Sequence, residues 1–472
     1  MGILGKLLTL TILVAVGAVV YQLLLTPEPE VPKIPEQWFG KKQLKAGEPI
    51  PKDPLTINKF TINVSDEVLT DLKHRLDLAR YVEPIPGTQF NYGFNGNYLK
   101  QVVDYWKTKY DWRQQEKELN KFNHFKTQIN GIDIHFIHVK PSKPAKTVVP
   151  ILISHGWPGS VLEYYKAIPL LTEPTNGVAF EVICPSIPGY GWSEAPHQTG
   201  FNVPQTARIY VKLMERLNHK TFFVHGGDWG SAIAQSMAIL YPENVRGLHT
   251  TWGSMPSRGL PLIKTIIGAY LPQLVFDNPE SDYKMVFPFW EKFKFMVRES
   301  GYMHLQSTRP DTIGAALVNS PVGLAAYILE KFSVWTNPAF LDKPDGELTK
   351  KFTLDELLTN IMIYWTSNNV ASSMRYYKEN IPLLFTDFSL DRFCIKASVP
   401  SAVADFPNEL LRSPQSLTKY HYENLIQYTS MPRGGHFAAF EEPKLVADDI
   451  KTFVAKVLAL ELAQKSKQNT KI

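Results

Sequence analysis

Cysteine is scarce in this chain of 472 residues, which contains only Cys184 and Cys394. Two cysteines exclude a disulfide framework and most cysteine-rich metal sites, and their scarcity fits a reducing compartment. No long basic run occurs, and 50 basic residues nearly balance 45 acidic ones. Because nucleic-acid-binding proteins normally cluster Lys and Arg along one stripe, that class is excluded as well. The motif G-x-S-x-G does not occur in the sequence either, which argues against a serine esterase.

One long hydrophobic run is present, because residues 7–26 carry no charged side chain. About 20 apolar residues are enough for a helix to cross the hydrocarbon core of a bilayer. The run is longer than the hydrophobic part of a signal peptide, and no clear A-x-A cleavage site follows it. We therefore expect residues 1–26 to form a retained, single-pass transmembrane anchor.

The charges around this run predict the orientation of the anchor. Lys6 precedes the run, whereas four lysines follow it before residue 46. Positive side chains favour the cytosolic side of a membrane, so we expect the body of the protein in the cytosol. A glycosylation sequon at residues 63–65 would be used only in the opposite orientation.

Composition and pattern divide the rest of the chain into segments. Residues 27–54 are rich in proline, which predicts a linker without helix or central strand. Residues 55–126 are expected to form an N-terminal extension that wraps the core, with a helix capped by Ser65. Residues 127–253 and 391–463 are expected to form two parts of an α/β core. A helical cap over residues 254–390 separates them, and residues 464–472 form a polar tail.

Alternating apolar and polar residues over 128–139 predict a hairpin that turns at Asn130-Gly131. His135 and His138 lie in its second strand and resemble a pair of metal ligands. Residues three apart on a strand point to opposite faces, however, so we interpret them as structural histidines.

Short apolar runs that end in glycine-rich turns predict the strands of the core. Three of them, separated by helix-length segments, are residues 147–154, 180–184 and 221–224. Later candidates are residues 246–251, 393–399 and 425–429. Runs of this kind favour a parallel sheet in an α/β fold.

The segment that carries chemistry is Gly226-Gly227-Asp228-Trp229-Gly230, which lies between a predicted strand and a predicted helix. Its small-x-acid-x-small pattern is that of a nucleophile elbow, with aspartate where hydrolases usually carry serine. Bulky side chains at Gly226 and Gly230 would collide with the neighbouring strand and helix. A simpler interpretation is that Asp228 only caps the helix.

Two further segments favour the catalytic interpretation. Residues 155–159 (HGWPG) follow a predicted strand where an oxyanion loop is expected, so the N–H groups of Trp157 and Trp229 would hold one oxygen. Far downstream, His436 follows the last predicted strand. A nucleophile followed by an acid and then a histidine is the chain order of α/β-hydrolases.

These motifs together resemble the microsomal epoxide hydrolases, the family that includes insect juvenile hormone epoxide hydrolases. The resemblance covers nearly the whole chain, beginning with the N-terminal run. The segments that carry it are residues 90–95, 155–159, 226–230, 299–304, 320–327 and 434–443. It implies an α/β-hydrolase fold with a helical cap domain and an N-terminal transmembrane helix.

The resemblance also implies the site residues. Asp228 matches the nucleophile of the family, His436 the general base and Glu409 the acid that orients the histidine. Tyr302 and Tyr377 match two cap tyrosines that hydrogen-bond the epoxide oxygen. Two alternatives lie close in the sequence, because Tyr376 adjoins Tyr377 and Asp405 precedes Glu409 by four residues.

The implied reaction converts a lipophilic epoxide to a vicinal diol through an aspartyl ester that a histidine-activated water hydrolyses. It needs no cofactor and no metal. Its substrates would be juvenile hormone-like terpenoid epoxides or xenobiotic epoxides, in hormone catabolism or detoxification, and the same residues serve both. The expected location is the endoplasmic reticulum membrane, where membrane lipid would be a partner. A haloalkane dehalogenase, which uses the same elbow, and a carrier that has lost its chemistry are the rival interpretations.

Overall fold

The structure is a computed structural model that describes residues 30–45, 47–252, 259–382 and 395–469, together with Gly17. The predicted anchor therefore lies outside the described residues apart from Gly17, and so does Cys394. Within the described ranges no single helix has the length and hydropathy needed to cross a membrane. One pair of helices, Pro310–Leu317 and Pro321–Val334, reaches those values together but is bent by 118°.

A nine-stranded sheet forms the centre of the molecule. Its strands are β1 Asn58–Phe60, β2 His124–Ile129, β3 Ile132–Val139, β4 Thr147–Ser154, β5 Val178–Pro185, β6 Phe222–Gly226, β7 Val245–Thr250, β8 Ala397–Asp405 and β9 Tyr422–Ser430. The spatial order is β1-β2-β3-β5-β4-β6-β7-β8-β9. The pairs from β1 to β5 are antiparallel, and those from β5 to β9 are parallel. This is the α/β-hydrolase fold that the sequence predicted.

Helices surround the sheet. They are α1 Asp66–Asp77, α2 Gly96–Thr108, α3 Trp112–Leu119, α4 Ala167–Thr172, α5 Val203–Arg216, α6 Trp229–Leu240, α7 Gly259–Gly268, α8 Pro279–Val286, α9 Phe289–Glu299, α10 Gly301–Thr308, α11 Pro310–Leu317, α12 Pro321–Val334, α13 Leu354–Ser367, α14 Val370–Asn380, α15 Gln415–Thr418, α16 Ala438–Glu441 and α17 Pro443–Asn469. Helices α7 to α14 all lie between β7 and β8 in the chain. The described part of that insertion is therefore helical.

Side chains on the two faces of the sheet belong to two apolar clusters. In β4, Ile151 and Ile153 pack in one cluster with residues of α4 and α17, whereas Leu152 packs in the other with residues of α5 and α6. This alternation follows from the two-residue period of a strand, and it explains why β4, β5 and β6, in the middle of the sheet, are largely apolar. These central strands are buried on both faces, so a site is expected at their carboxyl ends.

The predicted hairpin is confirmed, because β2 and β3 turn at Asn130 and Gly131, whose φ angles are 53° and 84°. His135 is buried and bonds His124 and Ser186, whereas His138 bonds Glu181. The two histidines therefore have separate partners, as the strand period predicts.

Three details differ from the predictions. Ser65 occupies the N-cap of α1, but its side chain makes no capping hydrogen bond. The proline-rich linker has no helix or strand in its described part, yet Phe39 of that segment is fully buried and Asp53 accepts the N–H groups of Asn130 and Gly131. In the described residues the strand expected over 393–399 begins at Ala397 and continues to Asp405, past Pro400, which lies inside it at a register shift.

Candidate active site

Asp228 lies on a sharp turn between β6 and α6. Its φ of 50° and ψ of −129° are a strained backbone conformation for a residue with a side chain. Its side chain makes no capping hydrogen bond to α6, so the interpretation of Asp228 as a simple helix cap is wrong. Strain of this kind is typical of an elbow that holds a reactive side chain at the top of a sheet.

Glycines make room for this turn. A Cβ on Gly226 would lie 2.1 Å from the carbonyl oxygen of Gly230, and one on Gly230 would lie 2.0 Å from the carbonyl oxygen of Ser154. A Cβ on Gly156 would lie 2.3 Å from Asp228 Oδ1. The loop after β4 therefore approaches the aspartate more closely than any other residue type would allow.

The same loop binds one oxygen of the aspartate. The backbone N–H of Trp157 donates to Asp228 Oδ1 at 2.9 Å. Trp229 follows Asp228 directly and begins α6, where the first N–H groups of a helix have no partner within the helix. The structure thus shows a contact of the Trp157 N–H with Asp228, and it places Trp229 at the first position of α6, directly after Asp228.

His436 lies between two carboxylates. Its Nε2 is 3.4 Å from Asp228 Oδ2, and its Nδ1 is 2.6 Å from Glu409 Oε1. The rival acid has another partner, because both oxygens of Asp405 accept hydrogen bonds from the guanidinium of Arg412, at 2.8 and 2.6 Å. Of the two candidate acids, only Glu409 therefore contacts the histidine.

The charges around His436 favour its protonated form. Burial opposes protonation, but the carboxylates of Glu409 and Asp228 outweigh it and raise the pKa of His436 well above the usual range. Two other buried acids lie nearby. Burial raises the pKa of Glu163 to about 8, with a further contribution from Asp228, and burial likewise raises the pKa of Glu441 to about 8. These two acids hold a proton at neutral pH, which limits the negative charge around the histidine.

Tyr302 on α10 and Tyr377 on α14 reach the same site from the helical insertion. Their ring centroids are 5.7 Å apart, with the two rings nearly perpendicular. The ring of Trp157 stacks on Tyr302 with centroids 4.9 Å apart, and Trp229 meets Tyr377 edge-on at 4.9 Å. Burial raises the pKa of both tyrosines, as does the charge of Asp228, so both hydroxyls keep their protons at neutral pH.

Sequence reasoning missed Trp335, at the C-cap of α12. Its carbonyl oxygen accepts the N–H of His436 at 3.0 Å, and its ring centroid lies 5.0 Å from that of the imidazole. No spacing or motif distinguishes this tryptophan from the other nine in the sequence. Its contribution depends on where the helical insertion meets the loop after β9.

One group of metal-ligand type lies elsewhere in the described part of the chain. His138, Glu181 and His219 bring their ligand atoms within 4.8 Å of one another. His138 Nε2 already bonds Glu181 Oε1 at 2.6 Å, and Lys140 Nζ lies 3.9 Å from the same oxygen. An ammonium group at this distance disfavours a bound cation. We therefore assign these three residues no part in the chemistry of Asp228.

Comparison with known proteins agrees with these features. The family model described as epoxide hydrolase N terminus matches residues 57–164, and the model described as alpha/beta hydrolase fold matches residues 149–287. Epoxide hydrolase 1 of Oryctolagus cuniculus is 46% identical over 459 residues, which cover 96% of this chain and 99% of that protein. Juvenile hormone epoxide hydrolase 1 of Ctenocephalides felis is 44% identical over 462 residues, covering 97% and 96% of the two chains.

A solved structure shows the same likeness in three dimensions. The crystal structure of juvenile hormone epoxide hydrolase from the silkworm Bombyx mori superposes with a TM-score of 0.85 at 38% identity. The match covers 90% of this chain and 99% of that one. The identity and coverage of these relatives show that the chain belongs to the microsomal epoxide hydrolase family and is a hydrolase of that family.

Proposed function

We propose that this protein hydrolyses lipophilic epoxides to vicinal diols through a covalent ester on Asp228. The observation that carries the proposal is the unequal environment of the two carboxylate oxygens. Oδ1 accepts the N–H of Trp157 at 2.9 Å, whereas Oδ2 lies on the side of His436, 3.4 Å from Nε2. One oxygen is therefore held in a donor site, and the other remains available for attack.

In the first step, Asp228 Oδ2 attacks an epoxide carbon and the C–O bond of the ring breaks. Tyr302 and Tyr377 hydrogen-bond the oxygen, and one of them transfers its proton to the alkoxide. A carboxylate suits this displacement, because attack on a strained sp3 carbon gives an alkyl ester, whereas attack on an ester would give an anhydride. The raised pKa of both tyrosines keeps the donated protons available at neutral pH.

In the second step, His436 removes a proton from water, and the hydroxide attacks Cγ of the Asp228 ester. Negative charge develops on Oδ1, where the N–H of Trp157 already lies and that of Trp229 would join it. Glu409 holds the imidazole and stabilises its cation. Collapse releases the diol and regenerates the Asp228 carboxylate, and the proton on His436 balances the one that tyrosine gave up.

Esterification also changes the basicity of His436. In the free protein the charge of Asp228 helps to raise the pKa of His436. An alkyl ester carries no charge, so this contribution disappears when the intermediate forms. The pKa of His436 then falls, its proton passes to the tyrosinate left by the first step, and the imidazole becomes a neutral base at the stage that needs one.

Aromatic side chains around Asp228 make the site suitable for apolar substrates. Trp157, Tyr302, Trp335 and Tyr377 contact one another there. We propose terpenoid epoxides of the juvenile hormone type or xenobiotic epoxides as substrates, because relatives named for epoxide and juvenile hormone epoxide hydrolysis match the chain. We further propose anchorage in the endoplasmic reticulum membrane through residues 1–26, with the catalytic part in the cytosol.

The test is a trapping experiment on the variant His436→Gln. This variant keeps Asp228 but lacks the base for the second step, so we expect an epoxide to alkylate it and stall at the ester. Intact and peptide mass spectrometry should find the mass of one epoxide on the Asp228 peptide. Asp228→Ala is the control, which should show no adduct and no turnover.

A haloalkane of similar size separates the rival functions in the same experiment. An adduct with the epoxide alone supports the proposal. An adduct with the haloalkane alone assigns dehalogenation instead. Binding of both ligands without mass on Asp228 assigns a non-catalytic carrier, and normal turnover by His436→Gln overturns the role of the histidine.

A further inference from the structure

A buried lysine lies beside the site and takes no part in the reaction described above. Lys331 is on α12, and only 7% of its surface is exposed. Lysine is almost never buried to this degree unless it is paired. Its Nζ is 2.6 Å from Glu330 Oε2. This ion pair explains how a buried charge is tolerated, but it does not explain why a lysine occupies this position.

The ammonium of Lys331 faces the rings of the site. Its Nζ lies 5.1 Å from the ring centroid of Tyr302 and 5.6 Å from that of Trp335. The same Tyr302 ring stacks on Trp157, whose N–H binds Asp228. A cation within about 6 Å of a ring centroid interacts favourably with the ring, and more strongly where water is excluded.

We propose that Lys331 is a positioning residue that stabilises the negative charge acquired by Tyr302 when its hydroxyl protonates the opening epoxide. This inference rests on the proposed function, in which one of the two tyrosines gives up its proton, and it assigns that transfer to Tyr302. The bond between Asp228 Oδ2 and carbon forms, the ring C–O bond breaks, and the proton of Tyr302 moves to the oxygen. The negative charge thereby passes from Asp228 to the Tyr302 ring system, next to the ammonium.

Two acidic side chains lie close to Lys331 and differ from it in their surroundings. Glu330 opposes it, because its charge raises the pKa of Tyr302. The side chain of Glu330 is 19% exposed against 9% for Lys331, so water screens the carboxylate more than the ammonium. Glu299 also lies near, but its carboxylate pairs with the guanidinium of Arg298 at 3.0 Å. The ammonium is the charge that lies over the tyrosine ring.

The experiment measures the two steps separately in single turnovers, with styrene oxide as the probe and tryptophan fluorescence as the signal. Lys331→Met keeps the length of the side chain and removes the charge. We expect it to slow ester formation by about tenfold or more and to leave ester hydrolysis within about twofold. Lys331→Arg should restore most of the rate, because it restores the charge.

Lys350→Met is a matched control. Lys350 Nζ also lies over a ring, 5.2 Å from the centroid of Phe340, and also pairs with a glutamate, Glu347 at 3.3 Å. Since Phe340 is not a proton donor, this variant should form and hydrolyse the ester at the wild-type rate. Equal slowing of both steps in Lys331→Met would indicate a general loss of structure and would overturn the inference.

A double-mutant cycle with Tyr302→Phe identifies the residue through which Lys331 acts. If the inference is right, Lys331→Met has no further effect on ester formation once the Tyr302 hydroxyl is gone. Additive effects of the two substitutions overturn the inference but keep Tyr302 as a donor. Wild-type ester formation by Tyr302→Phe alone instead removes Tyr302 from the proposed function, so the two failures are distinguishable.

Discussion

Tyr376 and Tyr377 are adjacent on α14, yet their hydroxyls have different surroundings. The hydroxyl of Tyr376 bonds Thr206 Oγ1 at 2.9 Å, on the side of α5. Tyr377 instead lies among the rings of the site, in contact with Trp157, Trp229 and Tyr302. Neighbouring residues on a helix point about 100° apart, so only one of the two can face the aspartate.

This difference gives a prediction at the scale of one residue. Tyr377→Phe should slow ester formation by roughly 100-fold, the lower range for the loss of one hydrogen-bond donor to a developing oxyanion, because it removes the hydroxyl that supports the epoxide oxygen beside Tyr302. Tyr376→Phe removes the same atom one position away and should keep ester formation within a few-fold. Single-turnover rates with one epoxide measure both, and a reversed order would show that Tyr376 is the donor.

At the scale of the element, the strand β6, the elbow and the helix α6 act as one rigid support for Asp228. Ser231 Oγ donates to the carbonyl oxygen of Gly226, which ties the first turn of the helix to the end of the strand. Gly230 packs directly on the carbonyl oxygen of Ser154 at the end of β4. The aspartate is therefore positioned by backbone contacts between two neighbouring strands.

We predict that Gly230→Ala disrupts this support. Its Cβ would lie 2.0 Å from the backbone oxygen of Ser154, so the elbow would have to move. Overpacking of this kind costs about 1–3 kcal/mol of stability, and displacement of a nucleophile by about 1 Å costs about 100-fold in rate. Thermal unfolding and the yield of the Asp228 adduct measure the two effects.

Gly227→Ala is the control for that substitution. The atom nearest to its added Cβ is the side-chain oxygen of Thr251 at 2.9 Å, and a side chain can move where a backbone carbonyl cannot. This variant should retain most of the adduct yield and melt closer to the wild type than Gly230→Ala. Equal losses in the two variants would contradict a specific role for the contact with Ser154.

At the scale of the whole molecule, buried titratable groups make stability depend on pH in two directions. Burial lowers the pKa of His135 and His225 well below the usual range and that of His155 to about 4. Below pH about 6.5 the unfolded chain binds protons at these positions that the folded protein cannot, so stability falls as pH falls.

Glu163 and Glu441, with pKa values of about 8, have the opposite effect. Between pH about 4.5 and 8 the folded protein keeps their protons and the unfolded chain does not, so stability falls as pH rises.

Glu163→Gln should therefore reduce the loss of stability on the alkaline side. Glutamine has no proton to release, so the melting temperature of the variant should fall less than that of the wild type between pH 5 and pH 8. Glu83→Gln, which changes an exposed acid, should follow the wild type. A variant Glu163→Gln with the wild-type dependence on pH would show that Glu163 is ionised in the folded protein.

The sequence by itself determined the features that depend on local backbone geometry. The strand β6, the glycine-flanked turn at Asp228 and the helix α6 are contiguous, so residue spacing and the steric limits of glycine predict them. The order of apolar runs and glycine-rich turns likewise predicts the parallel part of the sheet. The ends of strands were less predictable, because Pro400 lies within β8 at a register shift rather than ending it.

Only the tertiary structure decided which distant side chains meet at Asp228. Nothing in the spacing of Asp405 and Glu409 distinguishes them. In the structure Arg412 pairs with Asp405, whereas His436 contacts Glu409. No local sequence pattern identifies Trp335 or Lys331 as a residue of the site, because the segment around them reads as an apolar helix of the insertion. Their contacts arise where that insertion packs on the loops that follow the strands, and such long-range packing is set by the whole chain rather than by any one segment.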